Sequence, residues 1–253
     1  MPPPLPLSLC VITRDAAGEI ADCLASATFA AEVVVVDSGS RDDTVEIARR
    51  CGARVIVRDW PGFGVQKNFA VGAAAHDWVL CLDADERVTP GMAASIADAM
   101  AAPRAGAYAF ARRNRFLGRW LAHGEGYPDW NVRLFDRRRA RWSEDAVHEH
   151  VIAGGQVARL SGDLLHASAE SLDAYLAKQN RYTSLQAVEM HARGERAGVV
   201  RMVVSPLARF VRFYVLKLGF LDGVAGLVHI AIGCQNSFLK YAKLRALQEE
   251  TRR

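Results

Sequence analysis

From about residue 7 to residue 101 the chain alternates short apolar runs with helical spacings, and that order leaves few folds open. Four runs predict strands: "LSLCVITR" (7–14), "EVVVVD" (32–37), "RVIVRD" (54–59) and "DWVLCLDAD" (77–85). The segments between them have helical spacing. "GEIADCLASAT" puts Ile20, Cys23 and Leu24 on one face. "SRDDTVEIARRCGA" opens with Ser40 three residues before Asp43, a capping-box-like start, and closes on Gly52 as the residue after the C-cap. "VQKNFAVGAAA" predicts a third helix, and Thr89-Pro90 opens a fourth that runs through Met100. Apolar runs without polar alternation fit strands covered on both faces. The expected fold class is therefore α/β, a Rossmann-like, mostly parallel sheet flanked by helices.

In such open sheets ligands bind beyond the carboxyl ends of the strands. Two of those ends are acidic: Asp37 follows "VVVV", and Asp83 and Asp85 follow "VLCL". Thr13 and Arg14 follow the first strand and share the same edge if the strands are parallel. Before Ser-Gly, Asp37 also suits a plain turn cap. Asp83-Ala84-Asp85 suits a hard divalent cation, Mg²⁺ or Mn²⁺, whose remaining positions a diphosphate would fill. The absence of GxGxxG after the first strand argues against a dinucleotide-binding oxidoreductase.

Past residue 101 the pattern changes. "GAYAFARRNRFLGRW", "WNVRLFDRR", "ARWSE", "VHEHVIAGGQVARL" and "LLHAS" predict short strands with turns, an antiparallel edge. In "WNVRLF" alternation puts Asn131, Arg133 and Phe135 on one face and Val132 and Leu134 on the other. From Ser171 to the end the chain reads as helical. The expected domains are a catalytic domain over 1–170, split into halves 1–101 and 102–170, and a C-terminal helical extension over 171–253. Arginine is dense between Arg104 and Arg141, which suits anionic partners, although most such residues form a solvated basic face. The five cysteines are scattered with no CxxC pair; Cys10 and Cys81 lie inside apolar runs and read as buried free thiols of a reducing cytosol. "MPPPLPLSL" lacks the positive and apolar regions of a secretory leader, so none is expected.

Between Ser205 and Leu239 the chain is apolar but interrupted by Arg209, Arg212, Lys217 and Asp222. That is too polar for a spanning helix of about 20 apolar residues. On a helical wheel Leu207, Val211, Tyr214, Leu218 and Leu221 share one face, with Arg209 and Arg212 opposite. This suits an interfacial helix flanked by Arg201, Lys240, Lys243 and Arg245, or a helical hairpin packed on protein.

"SLCVITRDAAGEIADCLAS", "VVVVDSGSRDDTVEIARRCGARV" and "GFGVQKNFAVGAAAHDWVLCLDADERVTP" together resemble the family 2 inverting glycosyltransferases of GT-A fold. "YPDWNVRLFDRRRARWSEDAVHEHV" and "GFLDGVAGL…FLKYAKL" resemble the lipopolysaccharide inner-core β-1,4-glucosyltransferase branch. The resemblance covers nearly the whole chain. It implies a metal-dependent enzyme with a UDP-sugar donor, UDP-glucose above all, and an inner-core heptose acceptor on a lipid-linked sugar. Carried over by motif, Thr13 and Asp37 contact the base or ribose, and Asp83 the ribose or metal. Asp85 is then the main metal ligand, and His166 of "GDLLHAS" completes the site. Gln66, Lys67 and Asn68 pack near the nucleotide, with Lys67 toward the base or phosphates. "TRDA" departs from the Asn-Glu pair that follows the Thr in many relatives, which leaves the role of Asp15 open.

Inverting transfer needs a carboxylate to deprotonate the acceptor hydroxyl. "WSEDAVHEHV" offers Glu144, Asp145 and Glu149. The Glu-Asp pair of the broad family favours Asp145; the "VHE" of the closer branch favours Glu149. His148 is expected to position the base or the acceptor, and Arg133 to meet the acceptor or the pyrophosphate. A lipid-linked acceptor implies a cytoplasmic enzyme, peripheral on the inner face of the cytoplasmic membrane, with no nucleic-acid partner. Alternatives are the same chemistry on a polyprenyl-phosphate or polysaccharide acceptor, or a non-catalytic nucleotide-binding membrane module.

Overall fold

The computed structural model describes residues 3–145, 149–167 and 171–251. In chain order the elements are β1 (Leu5–Thr13), α1 (Ile20–Ala25), β2 (Ala30–Asp37), α2 (Thr44–Arg50), β3 (Arg54–Val57), α3 (Phe63–Ala73), β4 (Trp78–Asp83), β5 (Glu86–Val88) and α4 (Pro90–Ala101). Then come β6 (Ala107–Phe116), β7 (Arg119–Trp120), β8 (Asp129–Asp136), β9 (Ala140–Trp142), β10 (Val151–Ala153) and β11 (Val157–His166). Helices α5 (Leu172–Ala192), α6 (Val199–Phe210) and α7 (Gly223–Glu250) complete the chain. They form two compact units: residues 1–112 with 129–167, and residues 113–128 with 168–253. Residues 113–128, which sequence order puts inside the stretch 102–170, thus group with the helices.

In the first unit the sheet runs in the order β3-β2-β1-β4-β8-β6-β11-β5. Strands β1, β2, β3 and β4 are mutually parallel where they pair, while β8 joins β4, and β6 joins β8, antiparallel. The α/β class expected from the sequence is present, with an antiparallel half added to the β4 side. The sheet is covered on both faces, which explains the unbroken apolar runs. Leu7, Leu9, Val11, Val35, Leu80 and Leu82 pack with Ile20, Cys23 and Leu24 of α1 and with Met92 and Ile96 of α4. Cys10, Ile12, Val34, Val36, Val79 and Cys81 point the other way, onto Ala70 and Val71 of α3 and onto Trp142. Cys10 and Cys81 are buried free thiols, as their surroundings in the sequence suggest.

Register sets the strand ends level with one another. Thr13 lies opposite Asp37, and Ile12 opposite Asp83. The parallel order therefore brings three separate sequence segments to one carboxyl edge.

Two local readings change. Asp43, not Ser40, is the N-cap of α2; its own side chain makes no cap bond, and Asp42 accepts from the Thr44 amide at 3.1 Å instead. Ser40 is used elsewhere: its hydroxyl accepts from the Asp15 amide at 2.8 Å and donates to Asp37. In β8 the simple alternation fails. Tyr108 pairs with Leu134 but Ala109 pairs with Val132, so Arg133 is the extra residue of a bulge. Val132 and Phe135 then pack in one core layer, while Leu134 belongs to the other.

The second unit is built on α5, α6 and α7. Ala187 and Met190 of α5 pack on Tyr241 and Leu244 of α7. Asp222 is buried and accepts from the amides of Ala122 and His123 at 3.0 and 2.8 Å, and Arg209 pairs with Glu125. These bonds place 113–128 in this unit. The single helical wheel drawn from Leu207 to Leu221 does not survive. Helix α6 passes into a π-helical turn over Val211–Leu216, Leu218 has φ +56°, and the chain bends by 74° before α7. Among the described residues no single helix is long and apolar enough to cross a membrane; the bent pair passes by length and composition together.

Strand β11 reaches the sheet edge over a close backbone approach. Gly162 has φ +89°, and a Cβ there would lie 2.2 Å from the Met92 amide nitrogen at the start of α4. Gly162→Ala is expected to cost about 2–3 kcal/mol, from left-handed strain and overpacking combined. Urea unfolding against the parent chain measures this; an unchanged midpoint would mean the contact is not tight.

Candidate active site at the carboxyl edge

The turn after β4 concentrates charge where an apolar strand ends. Three acids there need cations, and the fold supplies them from α3 and β8. Lys67 Nζ lies 2.9 Å from Asp83 Oδ1, and Arg133 Nη2 lies 2.8 Å from Asp83 Oδ2. Arg133 also donates to Glu86 Oε1 at 2.6 Å, while Glu86 Oε2 accepts from the Asp83 amide at 3.0 Å. Glu86 is fully buried and Lys67 and Arg133 nearly so; Arg112 stands 3.5 Å from Glu86. The result is a chain of alternating charges running Lys67, Asp83, Arg133, Glu86.

Burial opposes the charge on Asp83, but Lys67 and Arg133 outweigh it and hold its pKa far below the ordinary carboxylate range. Burial likewise opposes the charge on Arg133, and Glu86 and Asp83 reverse this and raise its pKa. Both cations lie over the indole of Trp142, with Lys67 Nζ 4.4 Å and the Arg133 guanidinium carbon 5.6 Å from the ring centroid. Asn68 fixes that indole from behind: its amide donates to the Trp142 carbonyl and accepts from the Trp142 amide, both at 2.9 Å.

Asp85 faces differently. Its Oδ2 lies 3.0 Å from His166 Nε2. Its backbone carbonyl accepts from the Ala167 amide at 3.1 Å. Strand pairing delivers this contact, since β11 runs antiparallel to β5 with His166 opposite Glu86. Burial opposes the Asp85 charge, and the hydrogen bond and charge of His166 more than offset it, lowering its pKa. The three-residue metal set of Asp83, Asp85 and His166 is not assembled as such, because both Asp83 oxygens are taken by cations. Among the described residues no group of three or more His, Cys, Asp and Glu side chains is arranged to hold a metal.

Of the remaining candidates, Asp37 is buried and spends its carboxylate on the turn, accepting from the amides of Gly39 and Ser40 at 2.9 Å each and from the Ser40 hydroxyl. Asp15 braces the same turn, accepting from the Arg41 amide at 2.7 Å. Gln66 is fully buried and donates to the Ser38 hydroxyl at 3.2 Å. Thr13 is buried and its hydroxyl finds no partner among the described residues. Glu149 joins the charge chain at Lys67, with Oε1 3.0 Å from Nζ. Asp145 is exposed and stands 3.5 Å from His150. His148 lies outside the described residues. Arg133 is 5% exposed and engaged with Asp83 and Glu86.

Sequence reasoning left both Glu86 and Trp142 out of the candidate set. The signal for Glu86 was in "ERV": in a short strand Glu86 and Val88 share a face, and Val88 belongs to the core. Glu86→Gln leaves buried Arg133 short of one charge and is expected to destabilise the fold by about 3 kcal/mol. Denaturant unfolding reads this, and a loss below about 0.5 kcal/mol would show that Glu86 is not the anchor of Arg133.

Residues 8–158 match the model of glycosyl transferase family 2. An uncharacterized glycosyltransferase of Rickettsia typhi is 29% identical over 97% of this chain and 89% of its own length. A lipopolysaccharide core biosynthesis glycosyltransferase of Rhizobium meliloti is 28% identical over 96% of this chain and 93% of its own. Among solved structures, glucosyl-3-phosphoglycerate synthase of Mycobacterium tuberculosis, in complex with Mn²⁺, UDP and glucosyl-3-phosphoglycerate, aligns over 44% of each chain with a TM-score of 0.38 and 21% identity. With the family model spanning more than half of its residues, this chain is a glycosyltransferase and belongs to glycosyl transferase family 2.

Proposed function

We propose that the protein transfers a hexose, glucose from UDP-glucose, with inversion onto an inner-core heptose of lipopolysaccharide. The observation that carries this reading is the meeting of Asp83 and Glu149 at one ammonium, beside the Asp85–His166 pair. A donor-side acid and an acid from a distant loop thus share one edge. The Rhizobium meliloti relative, matched over nearly its full length, supports the lipopolysaccharide acceptor. Thr13, whose buried hydroxyl has no partner among the described residues, suits a hydrogen bond to the nucleoside. Asp37 shapes the turn that would flank it.

Asp85 and His166 are the residues that would hold Mg²⁺ or Mn²⁺. A carboxylate and an imidazole suit such an ion, and Asp85 Oδ2 and His166 Nε2 stand together at this edge, 3.0 Å apart. When bound, the cation would offset the charge of the departing diphosphate. Glu149 would take the proton of the acceptor hydroxyl as its oxygen bonds to the anomeric carbon. The bond from that carbon to the diphosphate breaks in the same displacement, and the diphosphate leaves with the electron pair. Asp145, more exposed and turned to His150, suits this role less well.

An acceptor of that kind would be met at the cytoplasmic face of the inner membrane. Helix α6 buries none of its residues, and Val200, Leu207 and Leu216 are 75%, 62% and 73% exposed. Between residues 197 and 248 Asp222 is the one acid, and it is buried, while seven Lys and Arg residues lie in that stretch. An apolar face in a basic surround suits an anionic lipid surface.

With UDP-glucose and heptose-terminated lipopolysaccharide, Asp85→Ala and Glu149→Gln should each lower turnover on the order of 100-fold or more. Parent-like UDP release by both variants would sink the assignment. In sedimentation with phosphatidylglycerol vesicles, the Leu207→Glu/Leu216→Glu variant should bind at least about tenfold more weakly than the parent chain. Equal binding would remove the membrane face.

A further inference from the structure

We propose that Lys67 is a positioning residue that sets the base-bearing loop against the donor edge, rather than a ligand of the donor. This rests on Glu149 as the base. The ammonium of Lys67 is 5% exposed and fully occupied: Asp83 at 2.9 Å, Glu149 at 3.0 Å, and the Trp142 ring beneath it. A donor phosphate would have to compete with both carboxylates for it. What Lys67 does instead is hold two carboxylates close that would otherwise repel. One belongs to β4 and is fixed by Arg133. The other belongs to the loop between β9 and β10, and Lys67 is its tie to the sheet.

Helix α3 also grips the entry to that loop, at Trp142, the last residue of β9, and at Ser143. Asn68, next in sequence, makes the paired hydrogen bonds to the Trp142 backbone. Gly64, one turn earlier, packs so closely that a Cβ there would lie 1.8 Å from the Ser143 carbonyl oxygen. The loop closes on itself where the Ser143 amide donates to the His150 carbonyl at 2.8 Å and the His150 amide donates to the Ser143 hydroxyl at 3.1 Å. Gly64, Lys67 and Asn68 recur at the spacing of one helical turn and therefore lie on one face of α3. That face carries the loop, and among the described residues of α3 Lys67 is the one that reaches the acid. Removing the ammonium frees Glu149 while Asp83 keeps Arg133, so donor binding survives and proton transfer does not.

The test compares Lys67→Met, Lys67→Arg and Glu149→Gln. Titration calorimetry with UDP-glucose and Mn²⁺ gives donor affinity. UDP release with heptose-terminated lipopolysaccharide gives kcat and KM. Lys67→Met should keep donor affinity and donor KM within about twofold, lose kcat on the order of 10- to 100-fold, and be partly rescued as Lys67→Arg. In the Glu149→Gln background Lys67→Met should cost little more, because the two act as one unit. A fall in donor affinity matching the fall in turnover would make Lys67 a donor ligand and overturn the proposal. So would parent-like turnover of Lys67→Met beside an inactive Glu149→Gln. Full turnover of Glu149→Gln would instead overturn the base assignment beneath it. Thermal unfolding of Lys67→Met guards the comparison: if it does not fold, Lys67→Arg, which keeps the charge, carries the test, a lowered kcat at unchanged donor affinity supporting positioning and a matching fall in donor affinity overturning it.

Discussion

Two cations, Lys67 and Arg133, are withdrawn from water at the end of an apolar strand, and the geometry of the site follows from how they are paid back. A buried charge without a partner costs several kcal/mol, so each must face acids closely. Asp83 faces both, Glu86 faces Arg133 from below, and Glu149 faces Lys67 from the loop side. Each link is a short charge-assisted bond, and Asp83 is held from two sides, so Arg133 keeps it in place apart from Lys67. This fixes Asp83 in place and leaves Asp85, two residues on, free to meet His166.

The bulge at Arg133 is the second device. A regular β8 would place Arg133 by strict alternation, and Val132 would then sit with Leu134. The extra residue moves Val132 into the layer of Phe135 and aims Arg133 at the acids beyond β4. Bulges near reactive centres commonly re-aim a side chain in this way. Trp142 completes the arrangement. Its indole lies against both cations and packs edge-on to Phe135, so it joins the charge chain to the apolar layer.

The two units use their sequences differently. The sheet unit buries long apolar runs and spends its polar residues at one edge. The helical unit leaves much of α6 uncovered and holds residues 113–128 through Asp222 and Arg209. Arg209 reads as a solvent-facing charge on a helical wheel, yet it is tied to Glu125 and Ser237. A wheel assumes regular geometry, and the π-helical turn and left-handed Leu218 end that regularity.

The first four strands, their helices and the acidic ends were legible in the sequence because they depend on local periodicity and on buried apolar runs. Parallel order then made it plain that Thr13, Asp37 and Asp83 would share an edge. The metal-type pair of Asp85 and His166 was legible only through family resemblance, since eighty residues separate its members. What only the tertiary structure decided is the direction of each charged side chain. Lys67 could have pointed at a phosphate and Arg133 at an acceptor; nothing within a few residues of either one says otherwise. Their partners come from other elements, brought close by strand order, by a bulge and by the grip of α3 on a loop, and the cost of burying a lone charge then leaves each of them one way to point.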